Sequence, residues 1–159
     1  MKSIGILTTG GDAPGLNAVV RAVVKSIHRF PGDWRAVGYV DGFAGAATGE
    51  VIALTEDVVS GSLRRGGTLL GAGPRWDAAT FQQQAPEIAR RLSRHDAVVV
   101  IGGNGSMQAA FELSTRYEVP IIGVPKTIDN DVAGTDVTFG FDSAVSFATD
   151  AIDRLHPTA

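Results

Sequence analysis

The 159-residue chain contains no cysteine. That excludes a disulfide framework and any thiolate metal site. No apolar run approaches the roughly 18 residues of a membrane-spanning helix, so no membrane partner is expected. Charge of neither sign dominates: 14 Lys and Arg stand against 17 Asp and Glu, a net charge of -3. This argues against a nucleic-acid partner. The histidines His28, His95 and His156 are scattered at the ends of expected helices. None has metal-ligand spacing. The opening MKSIGILTTGG enters a strand and a glycine turn at once, without the apolar region of roughly 7–15 residues that marks a secretory signal. A cytoplasmic setting is the expectation.

What is present is a folded composition, 44 % hydrophobic and 19 % charged, with a mean hydropathy of +0.11. The length suits one core and one domain. Glycine is the exception: 20 residues, about twice the usual share. The glycines cluster at 10–11, 42–49, 66–73 and 102–105, as punctuation between elements.

Residues 3–9 read as a strand, and a helix follows from Leu16 or Asn17 to His28 or Arg29, with Leu16, Val19, Val20, Val23, Val24 and Ile27 on one stripe. Residues 34–40 read as a strand, 41–50 as a glycine-rich loop and 51–54 as a short edge strand. Thr55 reads as the cap of a short helix, and 68–70 as a further strand. A helix is expected over 78–94, either beginning at Pro86 or kinked there. Strand 96–101 and helix 106–117 come next. The run 119–124 is a buried strand that breaks at Pro125. The last element is a helix over 143–155, capped by Asp142, with Ala144, Phe147, Ala148, Ala151, Ile152 and Leu155 as its apolar stripe. This alternation predicts a three-layer α/β/α fold around a mostly parallel, doubly wound sheet. The chain stops just after a helix, so the fold is expected to be incomplete at the C-terminus.

Three strand-to-helix loops should face one crevice, bringing Gly11, Asn104 and Asp129 together. The loop at 10–15 and the loop at 102–106 offer backbone amides and helix N-termini to an anion. Each is also a plain tight turn before a helix. The loop after residue 125 carries Lys126, Thr127, Asp129 and Asp131: a cation, a hydroxyl and two carboxylates. If it is extended, Asp129 and Asp131 point to one side. One could then take a proton while the other holds Mg2+ or a phosphate. Asn104 can offer Mg2+ an amide oxygen, or can simply accept a left-handed backbone. Arg75 could grip a phosphate, Trp76 could stack on a base or fill core, and Lys126 is ambiguous between ligand and surface. Arg64 and Arg65 read as a solvated helix tail.

With these loops in hand, the chain resembles the N-terminal, phosphoryl-donor-binding domain of the 6-phosphofructokinase family. The motifs are GGDAPGLNAVVRA at 10–22, RRGGTLLG at 64–71, IGGNGS at 101–106, PKTIDND at 125–131 and TFGFDSA at 138–144. The resemblance implies phosphoryl transfer from ATP, or from pyrophosphate in some branches, to the 1-hydroxyl of fructose 6-phosphate in glycolysis, with Mg2+. It implies Gly11, Arg75, Trp76, Gly105 and Ser106 along the donor. Thr127, Asp129 and Asp131 fall on the acceptor side, with Asp129 as general base and Asp131 as helper for metal and substrate.

This chain departs from the family pattern at three points. Asn104 stands where the family usually has an aspartate that organises Mg2+. Gly105 resembles the ATP users, whereas Lys126 resembles pyrophosphate users and some ATP users; the balance leans to ATP. The family's second, sugar-phosphate domain has no counterpart in residues 1–159, so the isolated chain is expected to be inactive. A second copy or a complementary C-terminal half would be its partner. A standalone phosphate-binding pseudoenzyme is the alternative.

Overall fold

The structure, a computed structural model, describes residues 1–155, and His156 lies outside them. The order of elements is β1 (Lys2–Thr8), α1 (Leu16–Ile27), β2 (Trp34–Tyr39), α2 (Phe43–Thr48), β3 (Val51–Leu54), α3 (Ala78–Leu92), β4 (Ala97–Gly102), α4 (Asn104–Tyr117), β5 (Ile121–Thr127), β6 (Phe139–Gly140) and α5 (Phe141–Leu155). The six strands form one sheet in the order β3-β2-β1-β4-β5-β6. Every neighbouring pair is parallel except β2 with β3. This is the expected doubly wound sheet.

Strand alternation builds two cores from adjacent residues. Leu7, Val98 and Val100 join Phe81, Ile88, Leu92 and Leu113 beneath α3 and α4. Their neighbours Ile6, Val99 and Ile101 turn to the other face and meet Leu16, Val20, Val24 and Ile27 of α1. A strand covered on both faces must be apolar throughout, which is why 98–101 carries no polar residue.

Several elements differ from expectation. Residues 41–50 contain α2, because Gly42 and Gly49 take positive φ at its ends while Phe43 and Ala46 are buried. Thr55 caps only a turn: its hydroxyl accepts from the Val58 amide at 3.3 Å, and a short 3-10 turn at Ser62–Arg64 follows. Residues 68–70 form no strand. The outer edge of β2 is already taken by β3. The Asn17 side chain holds this segment instead, accepting from the Leu69 amide at 2.7 Å and donating to the Arg65 carbonyl at 3.0 Å. The helix α3 runs unbroken through Pro86. The strand β5 does not break at Pro125 but continues to Thr127. Proline is tolerated there because it sits on the last rung of the ladder with β4, opposite Gly102.

The last helix begins two residues early, at Phe141, so Asp142 lies in its first turn and not at its cap. None of its residues is buried, and Phe147 and Ile152 are 74 % and 63 % exposed. The described residues supply no layer to cover its apolar stripe. The sheet is similarly open beside β5, whose outer side pairs with β6 only at Lys126 and Thr127.

A buried link ties β1, β2 and the start of β4. His95 Nδ1 lies 3.0 Å from Ser3 Oγ, and its Nε2 lies 2.8 Å from the Tyr39 hydroxyl. Burial, aided by the charge of Arg35, holds His95 below its ordinary pKa of 6.5, against the opposing pull of Asp96. The folded state therefore prefers the neutral ring. Its contribution is complete above the unfolded value and is lost as pH falls through the lowered folded value. Thermal scans should show Tm falling between about pH 7.5 and 5, with a shallower fall in His95→Gln. An equally steep fall in the variant would contradict this.

Candidate functional site

The chain leaves β1 towards β2 on one side and leaves β4 towards β5 on the other. The loops after β1 and β4 therefore diverge and open a crevice at the carboxyl ends of these strands. Doubly wound sheets take their ligands at this switch point. Thr8 and Ile101 form the last pair of the β1–β4 ladder, directly beneath it.

Gly10 joins the three loops. Its φ is +83, and a Cβ there would stand 3.3 Å from Ser106 Oγ, 3.8 Å from Lys126 Nζ and 3.9 Å from the Gly103 amide nitrogen. The positive φ is what favours glycine here, and the approach of Ser106 Oγ leaves little room for a Cβ. Gly11 and Gly105 face open space, with no neighbouring atom within 4 Å of a built Cβ. Ser106 is 9 % exposed, and its hydroxyl makes no hydrogen bond among the described residues. The helix α4 starts at Asn104, two residues earlier than expected, so Gly105 and Ser106 belong to its first turn.

Lys126 lies at the centre. It projects from the end of β5, is 4 % exposed, and donates through Nζ to the Gly11 carbonyl. Burial lowers its pKa from 10.5, while the carboxylates of Asp12 and Asp129 pull it back up. An ammonium is thus held between the first glycine loop and the acidic turn. Sequence reasoning left Lys126 ambiguous between ligand and surface. One signal was available: it is the single cation in the segments 10–15, 102–106 and 125–131.

The acidic turn is bound from within. The Thr127 hydroxyl accepts from the Asp129 amide at 3.0 Å and lies 3.5 Å from Asp129 Oδ2. Asn130 takes φ +51, and its Oδ1 accepts from the Thr138 amide at 3.0 Å. The Thr138 hydroxyl, fully buried, donates to the Thr127 carbonyl at 3.1 Å. Asn130 and Thr138 were missed, since an amide and a hydroxyl eight residues apart leave no pattern. The left-handed Asn130 also means the turn is not extended, so the alternation argument does not place Asp129 and Asp131 on one side.

Asn104 reaches across to this turn. Its Nδ2 donates to the Asp131 carbonyl at 2.8 Å. It is helical and not left-handed, which removes that reading of it. Its amide nitrogen being spent, Oδ1 is the atom it can offer a metal. Among the described residues no group of three or more His, Cys, Asp or Glu is placed to hold an ion. Oxygen donors of the Asp131 and Asn104 kind would suit Mg2+ arriving with phosphate oxygens, the usual habit of that ion.

Arg75 and Trp76 stand apart. Their loop is tied to the same edge of the sheet, where the Thr8 hydroxyl donates to the Gly71 carbonyl at 2.5 Å and the Asp41 amide donates to the Leu70 carbonyl at 2.7 Å. Arg75 is exposed and makes no ion pair or hydrogen bond among the described residues. Trp76 is half-buried against the core under α3 and α4. Among the described residues no hydrogen bond joins either residue to the other loops.

The fold is a three-layer α/β/α domain whose polar loops gather at one switch point. The family model described as Phosphofructokinase matches residues 3–159. The chain belongs to the phosphofructokinase family. It is 49 % identical over 170 aligned residues to an ATP-dependent 6-phosphofructokinase of Chloroflexus aggregans, covering 99 % of this chain and 46 % of that protein. It is 45 % identical over 163 residues to a pyrophosphate–fructose 6-phosphate 1-phosphotransferase of Streptomyces coelicolor, covering 98 % and 46 %. Among solved structures, phosphofructokinase from Saccharomyces cerevisiae superposes with a TM-score of 0.85 at 31 % identity, covering 100 % of this chain and 24 % of that one. The chain spans about half the length of the curated relatives it matches.

Proposed function

We propose that this chain binds the phosphoryl donor in the β1–β4 crevice and supplies the acceptor-side turn for transfer to the 1-hydroxyl of fructose 6-phosphate, in the cytoplasm. The observation that carries the reading is the position of Lys126, buried between the Gly11 carbonyl and the Asp12 and Asp129 carboxylates. A buried cation facing amide-rich loops is arranged for an oxyanion.

The roles follow from the chemistry. Gly11, Gly105 and Ser106 let phosphates approach backbone amides, and Lys126 neutralises their charge. Arg75 and Trp76 extend the donor side. Asp129, steadied by Thr127, accepts the proton of the attacking hydroxyl. Asp131 holds the substrate-borne Mg2+, which when bound offsets phosphate charge. The donor is ATP, since the open space around Gly105 admits a nucleotide. Preference for pyrophosphate over ATP in a competition experiment would reverse this.

Transfer requires further surface packed over the exposed α5 and the open side of β5, from another copy of the chain or from another domain. Purified alone, the chain should bind donor and form no fructose 1,6-bisphosphate; measurable product would refute the requirement. In a competent assembly, Asp129→Asn should lower kcat by about 10²- to 10⁴-fold with donor affinity unchanged. Turnover near the parent value would remove Asp129 as the base. The second reading, a phosphate-binding subunit without catalysis, is favoured by one observation: Asn104 gives its amide hydrogen to Asp131 and brings no negative charge for a metal.

A further inference from the structure

Away from the crevice, the face of the sheet shared with α3 holds a second concavity of about 270 Å³. Arg35, Val37 and Tyr39 are alternate residues of β2, so all three present to this face. Arg91 comes from the last turn of α3, and Arg94 and His95 from the turn that precedes β4. All of them line the cavity, and Val51 of β3 completes its apolar floor with Val37.

Three arginines therefore line one small opening, and their like charges would favour an anion there. Arg35 and Arg94 have no acidic partner and no hydrogen bond among the described residues. Arg91 alone is paired, with Nε 2.8 Å from Glu87 Oε1, and Glu87 is shared with Arg90. Asp96 keeps its charge while its Oδ2 accepts from the Ser3 amide at 2.8 Å, and Glu50 lies between the lining residues Gly49 and Val51. Arg35, Arg90, Arg91 and Arg94 against Glu50, Glu87 and Asp96 leave an excess of one positive charge. Gly49 makes the room: a Cβ there would lie 2.2 Å from Arg91 Nη1. Tyr39 and His95, bonded to each other, close the inner wall.

We propose that this cavity binds a small phosphorylated metabolite with a short carbon stem, at a site distinct from the donor crevice. Planar guanidinium groups match phosphate oxygens two at a time. Val37 and Val51 offer the stem an apolar floor. The cavity is small, which favours a compact ligand over a nucleotide.

Glycerol phosphate is a suitable probe, titrated into isotope-labelled chain while the His95 and Tyr39 ring signals are followed. Saturable shifts at these rings are expected, with a dissociation constant at or below the millimolar range. Arg35→Gln and Arg94→Gln should each weaken binding at least fivefold, and the double variant should abolish it. Both side chains are exposed, so the variants should keep the parent Tm and the parent response of the Gly11 and Ser106 amides to ATP. Shifts confined to the crevice loops, or unchanged affinity in the double variant, would overturn the site. Malonate binding more tightly than glycerol phosphate would overturn the phosphoryl assignment.

Discussion

Lys126→Met lowers the affinity of the chain for ATP and for pyrophosphate by about 10- to 100-fold, the loss of one charge-assisted hydrogen bond in a sheltered site. Methionine keeps the unbranched stem, so the packing at the end of β5 survives. What goes is the ammonium between the Gly11 carbonyl and the Asp12 and Asp129 carboxylates. The crevice then presents three acids, Asp12, Asp129 and Asp131, and no cation among its three loops, which repels the ligand it is built to take. Lys126→Arg should recover part of the affinity, because charge returns in a bulkier form. Affinity unchanged in Lys126→Met would mean that the donor does not sit over these loops.

Asn104→Asp acts in the opposite direction. In the parent, the Asn104 amide bridges α4 to the Asp131 carbonyl. An ionised aspartate cannot donate, so the bridge becomes an unfavourable pairing of two oxygens. Without metal the variant should lose about 1 kcal/mol of stability, a modest figure because the bond is exposed. With Mg2+ the pairing becomes a ligand set, and added Mg2+ should raise the Tm of the variant while leaving that of the parent unmoved. In a competent assembly turnover should rise on the order of 10²-fold, the worth of one preorganised electrostatic contact. A variant indifferent to Mg2+ in both Tm and turnover would end the argument that Asn104 weakens metal use. It would also strengthen the reading of this chain as a binding subunit.

Much of the fold was legible because two-sided burial leaves a strong trace. The apolar run 98–101 and the stripe Leu16, Val20, Val24 each match one geometry. Glycine punctuation was legible too, since the positive φ of Gly10 and Gly15 requires it at loop 10–15. Misreadings arose where side chains or tertiary pairing decided the outcome. Residues 68–70 looked like a strand, but β3 had taken the edge and Asn17 took the backbone. Pro125 looked like a terminator, yet a ladder's last rung needs little from it. At the site, the handedness of the crossovers led to the expectation that the loops of Gly11, Asn104 and Asp129 share one crevice, and these loops do meet at the carboxyl ends of β1, β4 and β5. Lys126 was underrated because burial of a lysine depends on neighbours from two other loops. The α5 stripe was legible as a stripe, but periodicity reports amphipathicity and not what covers it.

The central claim is that the β1–β4 crevice is the donor site. It is tested most directly by titrating the isotope-labelled chain with Mg2+-ATP and Mg2+-pyrophosphate and mapping the backbone amide shifts. The account predicts saturable shifts concentrated at Gly11, at Asn104, Gly105 and Ser106, and at Thr127. Absence of saturable binding by either donor, or binding whose shifts avoid these loops, would contradict it.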